Sequence, residues 1–177
     1  MSTNGAADLA QAAPQADSRV PAPVSGRRRT ALVMKEAPGA GGRYRRTRKR
    51  LRLVYASDER VGDVFRAHVV LEGPDGGRYE GRAELSVNGQ TYLRAACRAT
   101  LAALRPLVGE AVEMDLIGVG RMCFEGGDVI VVQIASRVHG RPELLQGAAV
   151  AGDTPELDSA RAVLHATNRL VGRFLKA

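Results

Sequence analysis

A chain of 177 residues, 45% hydrophobic, is long enough for one domain with a real core. Aromatics make up only 4% and Trp is absent, so the core must come from Val, Leu, Ile and Ala, and few side chains are left as base-stacking platforms. The net charge of +7 is unevenly placed: residues 1–52 carry twelve Lys+Arg against three Asp+Glu, a net +9, while residues 53–177 carry fourteen against sixteen, a net −2.

That split divides the chain into an arm, 1–52, and a single domain, 53–177. Residues 1–26 are rich in Ala, Pro, Gln, Ser and Gly and show no sustained periodicity, which reads as a disordered leader. An Arg-rich leader also suits a transit peptide, but Asp8 and Asp17 argue against that. Two basic stretches follow, Arg27-Arg28-Arg29 and Arg43 to Arg52, separated by the spacer Pro38-Gly39-Ala40-Gly41-Gly42. Like charges so close together keep such a run extended until a counter-charge arrives. Arg45, Arg46, Arg48, Lys49, Arg50 and Arg52 are the candidate polyanion-binding residues, with nucleic acid ahead of anionic lipid because no amphipathic apolar face accompanies the run. A solubilising tail is the plainer reading of the same residues.

Leu51, Leu53 and Tyr55 alternate with Arg52 and Val54 as a short edge strand, and Ser57-Asp58-Glu59-Arg60 reads as a turn or one helical turn. A hairpin comes next. Phe65, Ala67, Val69 and Leu71 alternate with Arg66, His68, Val70 and Glu72, and Tyr79 to Val87 repeats the period. Placing Leu71 opposite Tyr79 leaves Pro74-Asp75-Gly76 as a three-residue loop suited to a type I turn with a left-handed third residue. The same register sets Glu72 against Arg78 and Arg66 against Glu84, two opposite-charge pairs. A helix is expected from Thr91 to about Val108, ended by Gly109. Val112, Met114 and Leu116 open a strand that Gly118 and Gly120 bend or bulge. The run Val129 to Ile134 is apolar on both faces except at Gln133, as a covered central strand would be, and Glu143 to Val150 forms another short strand. Asp153-Thr154-Pro155-Glu156 starts the final helix. The order β-β-α-β-β-β-α implies an α+β fold, an antiparallel sheet with two helices packed on one face. A strand apolar on both faces further implies that a second subunit covers part of the sheet, a homodimer.

At Ala99–Leu104, Val129–Ile134, Leu145–Val150 and Ala160–Arg169 the chain resembles small uncharacterised bacterial α+β domains of an actinobacterial type, over roughly residues 65–172. That resemblance implies no activity, ligand or catalytic residue for this chain, and it does not extend to the arm.

The remaining chemistry is sparse. His68, His139 and His165 have no ligand at the spacing of a usual metal site, so neither metal nor cofactor is expected. No GxSxG elbow is present, and neither Gly39–Gly42 nor Gly118-Val119-Gly120 is followed by a Lys-Ser/Thr pair, so nucleophilic catalysis and a phosphate loop lack their residues. Glu113 and Asp115 point the same way along a strand, as a solvated face does. Asn168 is an unusual helix-interior residue, fitted to a helix end or to a contact with a loop or dimer mate. Cys97 and Cys123 read as reduced thiols of a cytoplasmic protein, and no apolar run is long enough to span a membrane. The function expected is a non-enzymatic binding or regulatory module, self-associating, with an arm for a polyanion. The alternatives are a nucleic-acid-associated protein and a small enzyme whose site forms only in three dimensions.

Overall fold

The computed structural model describes residues 29–32, 50–88 and 91–175. The strands are β1 (Arg29–Leu32), β2 (Arg52–Val61), β3 (Val64–Glu72), β4 (Arg78–Ser86), β5 (Val112–Phe124), β6 (Gly127–Val138) and β7 (Arg141–Val150). The helices are α1 (Thr91–Val108), followed by a single 3-10 turn, and α2 (Pro155–Val171). The fold is α+β, as the alternation patterns require. The strands divide between two antiparallel sheets, β1-β2-β3-β4 and β5-β6-β7, and each sheet carries its own helix on its inner face.

The β3–β4 hairpin has the register that its side chains dictate. Leu71 faces Tyr79, Glu72 faces Arg78 and Arg66 faces Glu84. Gly73 and Gly77 close the loop through a 2.8 Å backbone bond, and Gly76 has φ +79°, the left-handed residue the turn needs.

β2 corrects one expectation. Ser57 to Arg60 is neither a turn nor a helical start but strand, and the chain reverses later, at Gly62-Asp63, where Gly62 has φ +58°. The reason is pairing: Ser57 and Glu59 stand opposite His68 and Arg66 and supply the outer face of the sheet, while Asp58 between them stands opposite Ala67. The four-residue β1, from the basic leader, pairs with β2 and adds a strand the sequence pattern does not announce.

The two halves repeat one plan, strand–strand–strand–helix. β2, β3, β4 and α1 correspond to β5, β6, β7 and α2. The first long strand of each half has a bulge at the same place, between Leu53 and Tyr55 and between Leu116 and Gly118. In each half a glycine of the third strand lies under the helix. A Cβ on Gly81 would overlap the backbone of Ala99 and Ala103, and one on Gly147 would overlap that of Ala162 and Ala166. Small residues on both sides let helix and strand approach closely. α1 also packs on α2 and on β5, and α2 on β2, so each helix is buried by its own sheet, the other helix and a strand of the other half. The core follows from this: Leu71, Leu93, Leu104, Ile130, Val132, Ile134 and Val163 are almost wholly buried, with Ala95, Ala96, Ala99 and Ala103 filling the close helix contacts.

Candidate functional site

The inner faces of both sheets are consumed by the core, so function must lie on the outer faces, the helix flanks or the arm. The outer face of the first sheet is charged. Its rows, read across the strands, are Glu59–Arg66–Glu84, Ser57–His68–Arg82 and Tyr55–Val70–Glu80, with Glu72–Arg78 at the end. These charges are paired: Arg66 Nε lies 3.0 Å from Glu84 Oε1, His68 Nε2 lies 3.2 Å from Glu80 Oε2, and Arg52 Nη2 lies 3.0 Å from Glu72 Oε1. Tyr55 meets the His68 ring edge-on at 5.6 Å. Such exposed pairs neutralise one another and leave no net field to attract a charged ligand.

The outer face of the second sheet is the opposite. The bulges and the two strand glycines fix which positions correspond. The three charged rows become Met122–Val129–Val150, Gly120–Val131–Ala148 and Gly118–Gln133–Gln146, and Glu72–Arg78 becomes Ala135–Leu144. With Arg52 completing the last row of the first face and Asp115 that of the second, eight formal charges on one face are replaced by one on the other. Met122 is 50% exposed, Leu144 59%, Val150 76% and Phe124 57%, so this apolar surface faces outward. Its polar border is the Arg137–Glu113 ion pair, 3.0 Å, with Asp115 beside it.

Of the six basic candidates in the arm, Arg45, Arg46, Arg48 and Lys49 lie outside the described residues. Arg50 is exposed, and Arg52, the first residue of β2, is held by Glu72. Arg50 and Leu51 border a cleft of about 190 Å³ whose other wall is α2, through Leu164, His165, Asn168 and Val171. Asn168 is exposed near the helix end, and its carbonyl accepts the Gly172 N–H.

Neither thiol is poised for nucleophilic work. Cys97 is wholly buried, and burial pushes its pKa up to about 12, against a smaller opposing pull from Arg94. Cys123 is exposed rather than in the core, at the tip of the β5–β6 hairpin. A hydrogen bond to Asp128 and that carboxylate's charge raise the Cys123 pKa, while the Cys123 bond and the Arg121 guanidinium, 2.6 Å away, hold Asp128 below its usual value. Among the described residues no three His, Cys, Asp or Glu side chains gather as a metal site would need, and no helix is long and apolar enough to cross a membrane.

No family model matches the chain, and no curated protein matches it. The outer apolar face was visible in the sequence only as the two-sided apolar run of β6. What the run did not disclose is that Met122, Leu144 and Val150 join it from both neighbouring strands.

Proposed function

We propose that this protein is a non-enzymatic binding module, a self-associating α+β domain that presents a basic arm to a polyanionic partner. The observation that supports the reading is the charge split: the arm's net +9 exceeds the whole chain's +7, and the domain is slightly acidic. Polyanion binding therefore belongs to the arm, through Arg45, Arg46, Arg48, Lys49, Arg50 and Arg52. Nucleic acid is the favoured partner. The domain's role is to hold copies together, for which the exposed apolar sheet face argues. The unpaired thiols suit a cytoplasmic setting.

Such an arm contacts phosphates and reads no sequence. With about six phosphate contacts, affinity for duplex DNA is expected to fall roughly a thousandfold between 50 mM and 200 mM salt. Gel shift of the full-length protein tests this, beside a full-length variant with Arg45, Arg46, Arg48 and Lys49 all replaced by Ser. The variant is expected to lose binding while keeping its circular dichroism. Absence of any shift by the unaltered protein at low salt, for duplex and single strand alike, overturns the nucleic-acid reading. Binding to anionic vesicles in its place would assign the arm to a lipid surface.

A further inference from the structure

We propose that the outer face of β5-β6-β7 is the surface by which two copies of this chain associate, sheet face against sheet face about a two-fold axis. This rests on the self-association reading and names its surface and its occupant.

The first half of the molecule supplies an internal control. It has the same strand plan, the same bulge and the same helix-facing glycine, and at the corresponding outer positions it carries charges in cross-strand pairs. The fold therefore does not require an apolar outer face. The second half has Val129 and Val150 where the first has Arg66 and Glu84, and Val131 and Ala148 where the first has His68 and Arg82. A solvent-facing sheet has no use for Val150 at 76% exposure.

Gly120 adds an independent sign. Strand glycines in this chain have a stated reason at Gly81 and Gly147, where helix backbone leaves no room for a side chain. A Cβ at Gly120 would meet nothing within 4 Å. With Gly118 one row away and Ala148 two strands away, it makes the middle of the face flat, as a surface must be if another sheet is to lie on it at about 10 Å.

Size and charge point to a second copy. Three strands about 4.8 Å apart, and about ten residues long at about 3.3 Å each, present roughly 400 Å² in projection, near the largest apolar patch that monomers usually leave exposed. Two such faces total roughly 800 Å² in projection, and the relief of their side chains raises the accessible area toward the lower end of specific interfaces, about 1,200 Å². Among the four rows the formal charge is Asp115 alone, opposite Ala135 at the border, so the middle of the face meets its copy without like-charge repulsion. Gln133 and Gln146, paired across β6 and β7, offer amides that both donate and accept, which suits them to their own counterparts across a two-fold. The basic run from Arg43 to Arg52 is a poor cover for the face, since it has only Tyr44 and Leu51 as apolar side chains. Edge pairing is hindered on one side, because His165 Nδ1 accepts the Ala148 N–H of β7 at 3.1 Å.

The test grafts the first sheet's solution onto the second. In the full-length protein, Val129→Arg with Val150→Glu copies the Arg66–Glu84 pair onto directly opposed residues. Sedimentation equilibrium across a concentration series is expected to give a dimer for the unaltered chain and a monomer for the double variant, with dissociation at least about a hundredfold easier. Ala148→Arg, which copies Arg82, repeats the test if the double variant loses its circular dichroism. A monomeric unaltered chain overturns both self-association and this surface. An unaltered dimer that persists in both variants overturns the surface alone. A monomer that gains mass only with a different protein would hand the face to that protein and also overturn the proposal.

Discussion

Gly81 and Gly147 bring strand backbone close beneath helix backbone, one in each half. A methyl group at either would overlap helix backbone, which cannot swing aside as the end of a flexible side chain can. Gly81→Ala and Gly147→Ala are each expected to cost about 3 kcal/mol, the upper part of the overpacking range, read from urea denaturation. A similar loss at both sites would confirm that the two halves use the same helix-on-strand contact. The thiols differ in kind. Cys97 has a folded pKa of about 12 against an ordinary 9.0, so the stability it contributes is fully present below pH 9 and is lost as pH rises from there toward 12. Alkaline denaturation followed in Cys97→Ala should show a shallower fall over that window. Cys123 is the thiol that reagents reach first. Its thiolate is disfavoured by Asp128, so Asp128→Asn is expected to lower its pKa and speed labelling near pH 8 by several-fold. Labelling rates followed against pH measure the shift directly.

At the scale of the elements, legibility followed local chemistry. The β3–β4 hairpin could be read to the residue because three separate demands agreed: apolar alternation, a Pro-Asp-Gly loop and opposed charges. Both helices were legible from their stripes, and Pro155 marks the start of α2. The polar run at Ser57 to Arg60 misled because turn-forming residues and an outer strand face share a composition, and only its partners in β3 tell them apart. The division into two sheets was not legible either, since alternation says which side chains point inward and not which strands are neighbours. The β6–β7 turn offers a further check. His139 has φ +47° and Gly140 φ +81°, the paired left-handed residues of a tight hairpin, where Asn is easier to place than His. His139→Asn is expected to raise stability by up to about 1 kcal/mol, observable as a higher thermal midpoint.

For the whole molecule, the sequence located the basic arm and the apolar run of β6, but not the repetition that gives each its context. The repeat is hard to read in the sequence because the two halves share only what the fold needs, the bulge, the buried glycine and the inner faces, while their outer faces differ, one charged and one apolar. One outer surface is thereby charged and self-neutralising, and the other is apolar. A two-fold assembly has a consequence for the arm that a monomer lacks: one polyanion meets two arms. A single arm with about six phosphate contacts should give a salt slope of roughly −5 in log affinity against log salt, and two arms engaged together roughly −10. The second arm binds at the high effective concentration set by its tether, so apparent affinity should rise by about a hundredfold or more with no new contact type. The Val129→Arg, Val150→Glu variant leaves every arm residue in place, yet it is expected to bind duplex DNA more weakly and to halve the slope. A slope equal to that of the unaltered protein, measured where the unaltered protein is dimeric and the variant is not, would show that the arms act singly and that association serves some other end.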